Sequence, residues 1–361
     1  MKFYLLIFAL FLSGTLPAQT FYKLDSTFHD GPYVFFEEDH IVARWVHAGQ
    51  LKEDTVRQGA QLQVASEVCA SFDPSILDPD AEFEPDSVVS YEGVNKLVAI
   101  SDIHGQYDLM LRLLKAHGVI DEANAWSFGE GHLVVVGDIF DRGANVTDIL
   151  WLIYKLENEA KTAGGKVHYL LGNHEVMNLN NDLRYVNKRY RYTMAMLRTP
   201  YPQLFGRNTY LGKWIRTKPV AISINDMVFV HAGFSATCLD LGLSFEEMNT
   251  AFQEQILGQT SEYIETDPAL RVLNGEDGPI WYRGYFQETF SRKQAKALLK
   301  RLGKKHIIIG HTPLPEVTSF FKRRIIGVDS TIQLGKEGEV LIYEEGSFFR
   351  GRSDGKRIKL R

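Results

Sequence analysis

Five short clusters along the chain combine residue types that can do metal-assisted hydrolysis. They are Asp102-Ile103-His104-Gly105, Gly137-Asp138-Ile139-Phe140-Asp141-Arg142-Gly143, Gly172-Asn173-His174-Glu175, His231-Ala232-Gly233 and Gly310-His311. Asp102 and His104 are two residues apart. At an extended strand exit such side chains face the same way, so one carboxylate and one imidazole can grip one ion. The Asp138 carboxylate can bridge two ions. Asn173, His231 and His311 add an amide and two imidazoles. This mixed donor set suits Mn, Fe or Zn better than a thiolate-loving metal. Two divalent cations about 3.5–4 Å apart can share a hydroxide and clamp both the attacking and the leaving oxygen of an in-line displacement.

The remaining polar residues in these clusters take complementary roles. Asn173 and His174 are adjacent, so their side chains diverge. Asn173 can bind metal while His174 faces a leaving group and protonates it as a general acid. Such an acid needs a partner that fixes its tautomer, and Asp141 is the candidate. Arg142 would meet phosphoryl oxygens, since a planar guanidinium donates to two oxygens at once. Gly143 would let the chain turn into the next helix.

These side chains need elements that bring them together. An apolar run precedes each cluster: Leu97–Ile100, Leu133–Val136, Val167–Leu171, Met227–Val230 and Ile307–Ile309. Runs of three to five residues rich in Val, Ile and Leu read as buried strands. Tyr107–His117 and Thr147–Lys161 have helical periodicity. Strands alternating with helices argue for an α/β layered fold, in which ligands bind beyond the carboxyl ends of the strands. The aromatic and basic stretch 178–214, with Arg184, Tyr185, Arg189, Tyr190, Arg191 and Tyr192, reads as an insertion over the site. Residues 19–95 read as an N-terminal extension. Within it, Tyr33–Phe36 and Ile41–Val46 are expected to pair as a hairpin. Phe72–Ser87, rich in Asp, Glu and Pro, reads as a surface linker.

The chain has 361 residues, 45% of them hydrophobic and 24% charged, with a net charge of -5. That balance gives no reason to expect a nucleic-acid partner. Residues 1–18 have a charged start, an apolar run from Phe3 to Leu12 and a small-residue exit, the pattern of a cleaved secretory signal. The expected location is periplasmic or secreted, with no stable membrane insertion after processing. Residues 346–361 carry Arg350, Arg352, Lys356, Arg357, Lys359 and Arg361 and read as a basic C-terminal tail. Cys69 and Cys238 are the only cysteines. Export would permit a disulfide between them. Neither begins a Cys-x5-Arg loop, which excludes thiol-based phosphatase chemistry.

The ordered clusters resemble the motifs of calcineurin-like metallophosphoesterases. The Asp-Arg-Gly and Asn-His-Glu forms are most similar to the phosphoprotein phosphatase branch. Pro313 stands where the nuclease and cyclic-nucleotide branches usually show a second His. Gly278-Pro279-Ile280-Trp281-Tyr282-Arg283-Gly284, the stretch Asn178 to Val186, and Gly327-Val328-Asp329 resemble Shewanella-like phosphatases. The resemblance covers roughly Val94 to Asp329. It implies a four-layer α/β/β/α fold with a central β-sandwich and flanking helices, within a domain spanning 96–345. It implies metal ligation by Asp102, His104, Asp138, Asn173, His231 and His311, with Arg142 and Arg283 as phosphate clamps and His174 with Asp141 as the acid pair. It also implies two divalent ions and a phosphorylated substrate, either a phosphopeptide, including one carrying phosphotyrosine, or a small phosphomonoester. A dinucleoside polyphosphate hydrolase is the alternative within the same chemistry. A non-catalytic, metal-stabilised binding protein is the alternative outside it, and would be expected to carry a broken ligand motif.

Overall fold

The computed structural model describes residues 25–38, 40–56, 62, 64–78 and 80–361. The expected leader, 1–18, lies outside the described residues. Among the described residues no helix is long and apolar enough to cross a membrane.

Two six-stranded sheets form the centre. The first runs in the order Arg357–Lys359, Ser347–Arg352, Glu339–Glu344, Lys96–Ile100, His132–Val135, Lys166–Tyr169. The second runs Thr318–Phe320, Ile325–Gly327, His306–Ile309, Met227–Val230, Ala221–Ile224, Ser90–Tyr91. Lys96–Ile100, His132–Val135 and Lys166–Tyr169 are parallel neighbours. So are Met227–Val230, His306–Ile309 and Ile325–Gly327.

The period-two alternation of side chains explains how the layers stack. Leu97, Ala99, Val134 and Val136 of the first sheet share one apolar cluster with Ile222, Ile224, Phe229 and Ile308 of the second. The intervening Val98, Ile100, Leu133 and Val135 point the other way. They share a second core with Met110 and Leu113 of the helix Tyr107–Ala116 and Ile149 and Ile153 of the helix Val146–Thr162. Strands buried on both faces must be apolar throughout, which is why these runs lack the alternation of a half-exposed strand. The architecture is the expected β-sandwich flanked by helices, and both helices lie within a residue of their expected ends.

The expected basic tail is corrected by the structure. Residues 347–352 and 357–359 are strands that extend the first sheet. Phe348 and Leu360 are buried in the inter-sheet core. The Arg350 guanidinium donates from Nε to the Glu339 carboxylate at 2.7 Å and also pairs with Glu316. The six cations dominate the local sequence, whereas tertiary pairing decides the outcome.

The N-terminal segment is also more integrated than its composition implied. Asp30–Phe36 and Ile41–His47 form the expected hairpin, and Gln50–Val56 adds a third antiparallel strand. Tyr33, Val34 and Trp45 join the same core as the helix 146–162. Trp151 Nε1 donates to the Pro32 carbonyl at 2.9 Å. In the acidic stretch expected to be a linker, Phe72 packs edge-on to Trp151 and Phe83 edge-on to Tyr210. Cys69 and Cys238 are both buried, unpaired thiols.

Candidate metal centre

The five polar clusters leave the carboxyl ends of five strands that share one edge of the sandwich. Tight turns follow each strand. Asp102, His104, Asp138, Asp141, Arg142 and His311 all have positive φ, between 47° and 72°. Left-handed backbone at non-glycine residues costs energy and concentrates at functional sites. Gly137 permits a close approach: a Cβ there would sit 2.7 Å from both Gly172 N and His231 Nδ1.

Asp138 is at the centre. Its Oδ2 lies 3.3 Å from His231 Nε2, 3.6 Å from His104 Nε2 and 3.9 Å from His174 Nε2. Two candidate donor groups meet there, His104–Asp138–His174 and Asp138–His231–His311. Both are buried, and Asp138 belongs to each. Asn173 Oδ1 is 3.0 Å from His231 Nε2. Asp102 joins through His311, whose backbone N–H donates to Asp102 Oδ2 at 2.9 Å, while the Ser101 hydroxyl donates to the same oxygen at 2.6 Å. All six expected ligands therefore surround one buried pocket.

Carbonyl groups fix the imidazoles. His104 Nδ1–H donates to the Phe140 carbonyl and His231 Nδ1–H to the Val136 carbonyl, both at 2.7 Å. Each bond turns Nε2 toward Asp138, the orientation that metal-ligating histidines require. Burial pushes the imidazole of His104 down to about 3 and that of His311 to about 2, so both are neutral donors. His231 is the opposite case. Burial disfavours its charge, but the Asp138 and Asp102 carboxylates outweigh that and lift it to about 10. The Asp138 carboxyl falls well below its ordinary value: burial raises it, and the surrounding imidazoles, His231 first, outweigh burial.

This donor set fits divalent cations. His311 Nε2 is buried with no hydrogen-bond partner. Donors around one ion at about 2.1 Å are separated by roughly 3–3.5 Å, close to the Asp138 distances above. The buried carboxylates and neutral imidazoles provide hard and borderline ligands with no thiolate.

His174 occupies the outer side. Its Nδ1 and Asp141 Oδ2 are 2.5 Å apart, and its Nε2 is 3.4 Å from Arg142 Nη2. Burial works against a charge on His174, yet the Asp138 and Asp141 carboxylates raise its pKa above the ordinary value. Arg142 and Arg283 are exposed. The positive charge of Arg283 is among the influences depressing His311.

Several residues at the site had no assigned role in the sequence reading. Glu175, fully buried, accepts from the backbone N–H of Asp138, Ile139, Phe140 and Gly172. Its position in Asn-His-Glu was the available signal, but only the fold reveals four donors around it. Trp281 meets the His311 ring edge-on at 5.7 Å. Asp329 is buried, and burial with the nearby Asp102 carboxylate pushes it up to about 8.

The aromatic stretch 178–214 divides in two. Tyr190 is fully buried, and its hydroxyl accepts from Val146 N and donates to the Ala144 carbonyl. Tyr192 packs on Phe28. Only the leading part touches the site. Tyr185 is 47% exposed, with its ring 5.3 Å from that of His174. The guanidinium carbons of Arg142 and Arg184 lie 5.7 and 5.6 Å from its centroid. Arg142 N donates to the Tyr185 carbonyl at 3.0 Å, and Asn187 Nδ2 donates to the Arg142 carbonyl at 2.7 Å.

Residues 96–315 match the family model described as calcineurin-like phosphoesterase. The chain is a calcineurin-like phosphoesterase. It is 30% identical over 268 residues to Shewanella-like protein phosphatase 2 of Arabidopsis thaliana, covering 62% of this chain and 67% of that protein. It is 26% identical over 257 residues to Shewanella-like protein phosphatase 1 of Plasmodium berghei, covering 66% of this chain and 67% of that one. Among solved structures, the cold-active protein-tyrosine phosphatase of a psychrophilic Shewanella species superposes with a TM-score of 0.84 at 37% identity. The match covers 92% of this chain and 99% of that one. The phosphoesterase is thus a hydrolase of phosphate esters with Shewanella-like protein phosphatase homologues, and its fold is that of its structural neighbours.

Proposed function

We propose that this phosphoesterase is a metal-dependent phosphomonoesterase that acts on phosphorylated peptides, using a two-cation centre and no phosphoenzyme. The observation that carries the reading is the single Asp138 oxygen faced by the Nε2 atoms of three histidines. In this reading Asp138 bridges two sites. Asp102 and His104 would complete one, and Asn173, His231 and His311 the other. The cations are Mn, Fe or Zn. When bound, they provide Lewis acidity toward phosphoryl oxygens and a water acidic enough to act as nucleophile near neutral pH.

The chain's own residues then do the rest. Arg142 and Arg283 bind and orient the phosphoryl group through paired N–H donors. His174 holds a proton on Nε2 for the departing oxygen, while its Nδ1–H is fixed by Asp141. Tyr185, exposed and flanked by two guanidiniums, stacks on an aromatic leaving group. The structural neighbour, a protein-tyrosine phosphatase, agrees with that preference.

Turnover of p-nitrophenyl phosphate, phosphotyrosyl and phosphoseryl peptides and diadenosine tetraphosphate with added manganese tests the reading. The expected result is hydrolysis of p-nitrophenyl phosphate and phosphopeptides. Exclusive cleavage of the dinucleotide, or no turnover of any of them, would contradict it. Export to the periplasm or beyond remains part of the proposal. Detection of the mature chain beginning near residue 19 outside the cytoplasm tests it.

A further inference from the structure

Beside the metal centre lies a cavity of about 360 Å³. It is bounded by the helices Asn173–Leu179, Ser261–Thr266 and Pro268–Asn274 and by the loop leading to Trp281. Two of its walls belong to the site already described. Asn173 has its Oδ1 on His231 and its Nδ2 toward the Met177 sulfur at 3.8 Å. Trp281 touches His311 on the metal side. A group bound in this cavity is therefore a direct neighbour of the reacting phosphate.

The lining has two characters. Val176, Met177, Ile264 and Trp281 make an apolar wall. Asp182, Glu276 and Asn274 bring oxygen atoms to it, and Asn274 Oδ1 is buried without a hydrogen-bond partner. Among the described residues no Lys, Arg or His lines the cavity. The surrounding chain has the same bias. From Ala251 to Trp281 it carries Glu254, Glu262, Glu265, Asp267, Glu276 and Asp277, against Arg271 alone. Asp182 already bonds Arg184 at 2.7 Å. Glu276, exposed and in no ion pair among the described residues, is the carboxylate left to meet a ligand.

An apolar wall ending at a carboxylate and an unmet amide oxygen fits one kind of occupant: a side chain with an aliphatic stem and a cationic head. We infer that this cavity is a subsite for a lysine or arginine next to the phosphorylated residue of a peptide substrate. The inference rests on the phosphopeptide reading above. The stem would lie along Met177, Ile264 and Trp281. The head would donate to Glu276. A glutamate at the same position would instead meet like charge with no cation to offset it, so the subsite both selects and rejects. It also separates the mouth into two sides. In this reading the phosphate is held by Arg142 and Arg283, and the adjoining residue faces carboxylates.

The test compares phosphopeptides that differ only in carrying Lys or Glu immediately before or after the phosphorylated residue, assayed with added manganese. Wild-type turnover of p-nitrophenyl phosphate is the control for phosphatase activity itself. The expected result is a kcat/KM about tenfold higher for the Lys peptide at one of the two positions, which corresponds to about 1.4 kcal/mol. In Glu276→Lys, the Lys-to-Glu ratio measured within that variant should fall to one or below. Ile264→Arg, which puts a cation on the opposite wall, should lower it in the same way. Equal kcat/KM for the peptides at both positions, or a ratio unmoved in both variants, overturns the subsite while leaving the phosphatase reading intact. Hydrolysis of p-nitrophenyl phosphate without hydrolysis of either peptide also overturns it. Failure of the wild-type protein on p-nitrophenyl phosphate overturns the underlying reading instead.

Discussion

Glu175 holds Asp138 in place: its Oε2 accepts the Asp138 backbone N–H at 2.9 Å, and its two oxygens also receive Gly172, Ile139 and Phe140. Asp138 stands at φ 59°, a conformation that its surroundings must impose. One buried carboxylate thus ties the turn carrying Asp138 to the turn carrying Asn173 and His174. Glu175→Gln keeps the volume but aims an NH2 group at N–H donors. The expected cost is about 2–4 kcal/mol of stability, together with weakened metal binding. Thermal unfolding and a manganese titration check it. An unchanged Tm with unchanged manganese affinity would remove this tie from the account.

The acid pair makes a separate prediction. In Asp141→Asn the partner that orients the His174 ring is lost, and kcat should fall by about 10²–10⁴ for an alkyl phosphate. For p-nitrophenyl phosphate, whose leaving group needs little protonation, the fall should be much smaller. Equal losses on both substrates would argue against proton donation by His174.

How much of this was legible beforehand varies residue by residue. Each of Asp102, Asp138, Asn173, His231 and His311 follows an apolar run that had to be a strand. Their convergence follows from the rule that α/β sheets gather ligands at strand ends. Tyr190 and Tyr192 were different. Nothing local distinguishes an aromatic that docks on the N-terminal strands from one that faces solvent. Only Tyr185, a few residues earlier, reaches His174. The C-terminal arginines were misread for the same reason: Arg350 looks like a free charge until Glu339 and Glu316 are brought alongside it. Glu175 needed the fold as well, since its four donors come from two turns distant in the sequence, at 138–140 and at 172.

Asn187 should act on substrate binding through Arg142. Its Nδ2 donates to the Arg142 carbonyl, at a residue with φ 62°. Asn187→Ala removes that hydrogen bond and the one its Oδ1 accepts from the Arg189 backbone N–H at 2.9 Å, each of about 1 kcal/mol. KM for p-nitrophenyl phosphate should rise about three- to tenfold, with Tm shifted by only a few degrees. A large loss of Tm without a change in KM would make Asn187 a scaffold residue only.

Asp148 sets a pH dependence of stability well away from the metal ligands. Burial first, and then the Asp30 carboxylate, push its carboxyl up to about 7, against the partial relief of Arg189. The folded chain therefore holds a proton that the unfolded chain releases near its ordinary pKa of about 4. Between about pH 4 and 7 the folded state binds more protons, so this residue's contribution to stability declines as pH rises and is flat above that range. Asp148→Asn should remove that decline and raise stability at pH 8 by on the order of 1–3 kcal/mol relative to wild type. Denaturant unfolding of both proteins at pH 5 and pH 8 reads the difference. A variant less stable than wild type at pH 8 would show that the charged carboxylate is favoured by Arg189 after all.

The central claim is that Asp138 joins two cation sites, and metal content tests it most directly. Elemental analysis of the purified wild-type chain reconstituted with manganese should find two ions per chain. Asp138→Asn should hold at most one and should lose nearly all turnover of p-nitrophenyl phosphate. An active wild-type protein with one ion or none, or an Asp138→Asn variant that keeps both ions and its activity, would contradict the account.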